Sequence, residues 1–185
     1  MGDETTDIGA GMLLADGPPP SSRQPSGSPA LWALLFIPLV VGLGLLSGRL
    51  SGSGAGNAWF DTLAKPSIYP PPVTFAIVWS ALYVLLGVAL ALVVAAPRGP
   101  GRSAAIRAFV VQLALNLAWS PLFFGQHSLP GALALLIVLV IAALLATNLM
   151  WRVKVAAGAL MLPYLAWLLF AALLNWRFLA LNPGA

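Results

Sequence analysis

The sequence predicts an all-α integral membrane protein, a five-transmembrane-helix bundle, on three observations. Of 185 residues, 60% are hydrophobic and 8% charged, against roughly 25% charged in soluble domains. Several apolar runs approach or exceed the ~20 residues needed to cross a bilayer. The breaks between them are short and rich in Pro and Gly. Helices are the only sensible form for such runs, because each backbone polar group must find its partner within its own segment.

In order along the chain, residues 1–29 form a Gly/Pro/Ser-rich tail with Pro18-Pro19-Pro20 and Ser26-Gly27-Ser28-Pro29. It buries too little apolar surface to offset ordering, so disorder is expected. Its early acids and the long run that follows do not fit a secretory signal. The membrane domain spans 30–182, and residues 183–185 are a short end. Span one is placed at Ala30–Gly48, span two at Val73–Ala96, span three at Ala104–Gly125, span four at Leu129–Trp151 and span five at Val155–Phe178. The turns at Pro97–Gly101 and Gln126–Pro130 imply antiparallel neighbours. No internal repeat is visible, which gives no support to an inverted-repeat carrier.

Basic residues report orientation. Arg23, Arg98, Arg102, Arg107, Arg152 and Lys154 lie on the tail side, and Arg49, Lys65 and Arg177 on the other. We therefore expect a multi-pass protein with a cytoplasmic N-terminus and the first loop outside. The net charge of +4 sits in short loops, so no nucleic-acid partner is implied.

Composition excludes much chemistry. There is no cysteine, hence no disulfide, thiolate nucleophile or zinc–thiolate site. The five acids are Asp3, Glu4, Asp7, Asp16 and Asp61, and none follows Asp61. Paired acid–base catalysis, hard-metal sites and intramembrane proton coupling all lack their carboxylates. His127, the one histidine, reads as a solvated turn residue. No metal site is expected.

Three spans carry polar and aromatic stripes. Phe75, Trp79, Tyr83 and Gly87 recur every four residues and share a face of span two. Gln112, Asn116, Trp119, Ser120 and Phe123 line one side of span three, with Gln112 assigned to packing or a dimer contact. Tyr164, Trp167, Ala171 and Asn175 do the same in span five. Such groups are costly against hydrocarbon, so the stripes should turn inward and meet. At ~1.5 Å of rise per residue, Trp79 and Trp119 lie on the order of 9 Å below the loop side, and Asn116 and Trp167 roughly 14–17 Å. The expected result is one aromatic chamber in the outer half of the bundle, suited to a flat, mostly apolar ligand. Trp32, Trp151 and Trp176, near span ends, read as interfacial anchors. In span one, Gly44-Leu45-Leu46-Ser47-Gly48 is a GxxxG, read first as close helix packing and second as a groove wall.

The segment from Trp59 to Pro72 joins two apolar helices yet is stiff with proline and carries aromatics. It reads as a lid over the chamber, with Trp59, Lys65, Pro66, Tyr69, Pro70 and Pro71 as its characteristic residues. Lys65 is either a surface cation or one placed to meet a ligand's carboxylate.

These residues also carry a family resemblance. Trp59-Phe60-x-x-Leu63-x-Lys65-Pro66 with Pro70-Pro71, Phe75-x-x-x-Trp79-x-x-Leu82-Tyr83, Gln112-x-x-Leu115-Asn116-x-x-Trp119-Ser120-x-x-Phe123-Phe124, and Pro163-Tyr164-Leu165-Ala166-Trp167-x-x-Phe170-Ala171-x-x-Leu174-Asn175 resemble the TspO/MBR family of translocator and tryptophan-rich sensory proteins. The resemblance covers about residues 31–182. It implies a five-helix bundle, usually a homodimer, with a ligand chamber under the first loop. It also implies binding of porphyrins such as protoporphyrin IX or haem, with no required cofactor. By the same resemblance Trp79 and Trp167 line the ligand, and Phe60, Tyr83, Asn116, Ala171 and Leu174 match other pocket positions. With Phe75 and Trp119 from the stripes, these form the expected ligand-binding set. Ile68 stands where the family's loop has Trp. The cholesterol-recognition pattern is broken at Trp176-Arg177, and the animal-type basic tail is missing. A bacterial cell membrane is therefore preferred.

Three functions remain open. They are a tetrapyrrole-binding sensor or regulator, a transporter of porphyrins or other amphipathic molecules such as sterols, and a catalyst of light-dependent porphyrin breakdown. No catalytic acid, base or nucleophile is in place. Only in the third case would Trp79 and Trp167 act chemically, as electron donors. Ala114 and Ala118 are candidate dimer contacts.

Overall fold

The computed structural model describes residues 27–54 and 56–184. The expectation of a disordered tail falls outside the described residues up to residue 26. Six α-helices follow in order: α1 Pro29–Leu50, α2 Ala58–Thr62, α3 Pro72–Ala95, α4 Pro100–Ser120, α5 Leu129–Val153 and α6 Val155–Leu181. A π-helical turn, Pro121–Gly125, continues α4. Five of the helical stretches are long and apolar enough to cross a membrane. α1, α3 and α4 start one to four residues before the expected spans, each on a proline at the first helical position, which supplies helical φ without losing an intrahelical bond. α3 ends one residue short of its expected span, and α1, α5 and α6 run two or three residues further. α2 is an additional helix, inside the loop.

The long helices form a ring in the order α1, α3, α6, α5, α4. The short turn before α5 does join antiparallel neighbours. The turn before α4 does not: α3 packs mainly on α1 and α6, and meets α4 only weakly. The reason lies in what stands between them. Tyr83 of α3 and Asn116 of α4 reach across and meet by their side chains, which holds the two backbones apart.

The half of the bundle near the α1 N-terminus is solid. Leu86, Val93, Phe109, Met150 and Met161 interlock there with almost no exposure. The opposite half closes around a second cluster of Phe60, Leu63, Phe123, Leu129, Leu174 and Phe178. Outward, α1 presents Leu31, Leu34, Leu35, Leu39, Leu45 and Leu46, a surface suited to lipid and hazardous in water. α1 docks on α3 through glycines. A Cβ on Gly87 would lie 2.7 Å from the Ile37 Cα, and one on Gly44 would collide with the Tyr83 ring. Gly87 thus serves helix contact, not the chamber its stripe suggested.

Pro121 lies inside the third membrane-crossing stretch. Lacking an N–H, it cannot bond the carbonyl four residues back, at Leu117. The Ser47 hydroxyl of α1 donates to that carbonyl at 2.6 Å. Beyond Pro121 the wider turn closes with Gln126 N–H on the Pro121 carbonyl at 2.9 Å.

Candidate functional site

Between the two clusters lies a cavity of about 620 Å³, within the roughly 300–1,000 Å³ of small-molecule sites. All nine residues of the expected ligand-binding set border it: Phe60, Phe75, Trp79, Tyr83, Asn116, Trp119, Trp167, Ala171 and Leu174. All five long helices contribute walls. α3 brings Phe75, Trp79 and Tyr83, one turn apart. α4 brings Asn116, Trp119 and Ser120; α6 brings Trp167, Ala171 and Leu174; and Leu136 and Leu139 of α5 help close the base.

The walls are aromatic and mutually braced. Trp79 packs on Tyr83 with centroids 5.3 Å apart and on Tyr164 at 6.4 Å. Trp167 meets Phe75 edge-on at 5.8 Å. Trp119 stacks on Phe123 at 4.8 Å. Polar groups are few. Tyr83 Oη donates to Asn116 Oδ1 at 3.1 Å. Asn175 Nδ2 donates to the Leu129 carbonyl at 3.0 Å, tying α6 to the first turn of α5. The indole N–H groups of Trp119 and Trp167 and Asn175 Oδ1 are buried without a partner among the described residues, an arrangement that costs free energy unless something else satisfies it. Gln112 is fully buried one turn inward of Asn116 and does not border the cavity. It is packing, and no dimer contact.

The lid is an ordered element. Asn57 caps α2, its Oδ1 accepting from Phe60 N–H at 2.9 Å. Phe60 inserts downward among Tyr69, Phe123, Phe124 and Phe178, with centroids 5.3–6.0 Å away. Trp59 stacks on His127 at 4.6 Å, so His127 is exposed but engaged. The Asn182 amide clamps the lid from the end of α6: Oδ1 accepts from Ala64 N–H at 2.8 Å and Nδ2 donates to the Ala64 carbonyl at 3.1 Å. Burial, and secondarily the negative charge of Asp61, raises the Tyr69 phenol above its ordinary value near 10.

Of the lid residues singled out from sequence, only Tyr69 borders the cavity. Trp59, Lys65, Pro66, Pro70 and Pro71 do not. Lys65 turns back on its own loop. Its ammonium donates to the Phe60 and Leu63 carbonyls and sits 4.4 Å above the Phe60 ring, which is a loop-bracing role in place of a ligand contact.

Gly44 and Gly48 of α1 border the cavity, so both sequence readings of the GxxxG hold: it is a packing motif and a wall. Phe123 lines the cavity as its stripe predicts. Other lining residues carry no such signal in the sequence: Phe124 and Phe178, for which the sequence gives no place in the chamber, line it as well. Arg49, in the sequence an orientation marker, lines the cavity with Ser53 and Gly54. The signal for Arg49 was its position one residue past the GxxxG. Among the described residues, no group of His, Asp or Glu could hold a metal ion.

The profile of the TspO/MBR family matches residues 23–181. The chain is 37% identical to protein CrtK of Rhodobacter capsulatus, over 69% of this chain and 81% of that protein. It is 36% identical to the tryptophan-rich protein TspO of Chlorobaculum tepidum, over 81% of this chain and 98% of that one. It is 39% identical to the translocator protein of Homo sapiens, over 75% and 85%. The family match spans every helix of the bundle, the cavity and the lid, and the chain belongs to the TspO/MBR family.

Proposed function

We propose that the protein is a membrane-embedded tetrapyrrole-binding sensor or regulator, taking protoporphyrin IX or haem into the cavity without any required cofactor. The observation that carries this reading is the lidded cavity of about 620 Å³ walled by Trp79, Trp119, Trp167 and Tyr83. Flat aromatic walls gain by stacking and edge contact with a flat aromatic ligand. The unpartnered indole N–H groups of Trp119 and Trp167 offer donors to a ligand bearing acceptors. Indoles beside a light-excited porphyrin are also chemically competent electron donors, which supports slow light-dependent breakdown as a by-product of binding.

The basic residues at the α1 N-terminal end support a cytoplasmic N-terminus and an external lid, in a bacterial cell membrane. Ala114 and Ala118 face outward on α4, where small residues permit close approach of a second copy; this supports a homodimer.

The test is titration of purified protein in nanodiscs with protoporphyrin IX, followed by the shift of the porphyrin's own absorption band. The double variant Trp79→Phe, Trp167→Phe should weaken binding about tenfold or more, since each indole contributes on the order of 0.5–1.5 kcal/mol beyond area burial. Unchanged affinity in a folded double variant refutes the site.

A further inference from the structure

We propose that Arg49 is the anion-holding residue of the cavity, so that the site selects flat apolar ligands bearing a carboxylate over neutral ones of the same shape. This deepens the tetrapyrrole reading and rests on it. Among the described residues, Arg49 is the only charged one lining the cavity. The other described cations at that end are engaged: Lys65 braces the backbone of its own loop, and the Arg177 guanidinium lies 5.2 Å from the Trp176 ring, outside the lining.

Among the described residues, Arg49 has no rival anion. Asp61 is the only acid among the described residues, and no ion pair joins the two there. The C-terminal carbonyls of α1 are the other obvious acceptors for a basic residue in the last turn. Three of them, those of Ser47, Gly48 and Arg49, are already served. Ser51 N–H bonds the Ser47 carbonyl, Gly52 N–H the Arg49 carbonyl, and Ser53 N–H the Gly48 carbonyl. The Ser51 and Ser53 hydroxyls add to Ser47 and Gly48. The chain folds back on its helix end tightly enough to need Gly52 at φ 62°, and the guanidinium is left over.

Its position suits an amphipathic guest. Arg49, Ser53 and Gly54 form the exposed rim, while Trp79, Trp167, Leu136 and Leu139 lie deeper. A ligand with its rings in the chamber keeps a carboxylate at the rim, wet and paired, which avoids burying an ion in hydrocarbon. The planar guanidinium fork matches a carboxylate with two parallel bonds.

The experiment compares protoporphyrin IX with its dimethyl ester, which has the same ring and no charge, in phosphatidylcholine nanodiscs. Wild type should bind the free acid about fivefold to tenfold more tightly, as expected for a half-exposed charge-assisted pair. Arg49→Gln should abolish that preference by weakening the acid alone, and Arg49→Lys should keep part of it. Raising salt should erode the preference in wild type and leave the Arg49→Gln variant unchanged. Equal weakening of acid and ester in Arg49→Gln, or a wild type with no preference, overturns the assignment while leaving the tetrapyrrole site standing. Failure of wild type to bind either compound overturns both.

Discussion

Among the described residues, Asn182 is the one side chain that ties the lid to the last helix by two hydrogen bonds, and Asn182→Ala tests whether that clamp keeps the lid shut. The variant removes the 2.8 Å and 3.1 Å bonds to Ala64. It also removes a 2.8 Å bond to the Phe178 carbonyl within α6. Net contributions run about 0.5–1.5 kcal/mol per bond, and this site is exposed, so the two lid bonds together are worth ~1–2 kcal/mol. That is roughly a fivefold to thirtyfold rise in the population of the open lid. The assay is native-state hydrogen exchange, because lid amides exchange through local opening. Protection at Ala64 and across residues 58–69 should fall by that factor, with the amides of α5 unchanged. Asn182→Asp keeps an acceptor for Ala64 N–H and should fall between. Unchanged lid protection in Asn182→Ala, or a fall shared equally with α5, refutes the clamp. In the first case the aromatic packing of Phe60 alone would hold the loop.

The two glycine contacts of α1 should respond differently to a methyl group. Gly87→Ala meets the backbone of Ile37, which cannot yield, and should lower the thermal midpoint by the equivalent of ~1–3 kcal/mol. Gly44→Ala meets the Tyr83 ring, which can rotate, so it should cost less stability but disturb the Tyr83–Asn116 bond and weaken porphyrin binding; equal thermal losses would argue against this division. Ser47→Ala strips the Leu117 carbonyl of its donor and should destabilise by about 1 kcal/mol, read as a lower unfolding midpoint in detergent. A midpoint unchanged from wild type would show that the carbonyl finds another donor.

The bundle and the chamber walls were legible because both follow from repetition. Apolar runs of span length announce helices, and Phe75, Trp79 and Tyr83 at four-residue spacing must share a face. What was not legible depends on breaks in that repetition. The wide turn after Pro121 changes helical phase, so Phe123 and Phe124 swing toward Phe60 where a regular 3.6-residue count gives no such pairing. The weak α3–α4 contact was hidden because a short turn constrains only helix ends, while the Tyr83–Asn116 pair further along decides the spacing. Lys65 looked free because its partners are backbone carbonyls, which every residue carries and no sequence pattern marks. The Asn182 clamp joins positions 118 apart, and nothing local at either end points to the other.

Ser47 and Pro121 sit on different helices, and their pairing has a consequence for how this chain tolerates change. The proline vacates a carbonyl and the serine occupies it, so each justifies the other. Restoring an N–H at position 121 would make the hydroxyl redundant; losing the hydroxyl first would make the proline a burden. The two sites should therefore drift together through the lineage, and a double-mutant cycle of Ser47→Ala with Pro121→Ala should show the second substitution recovering part of what the first one lost.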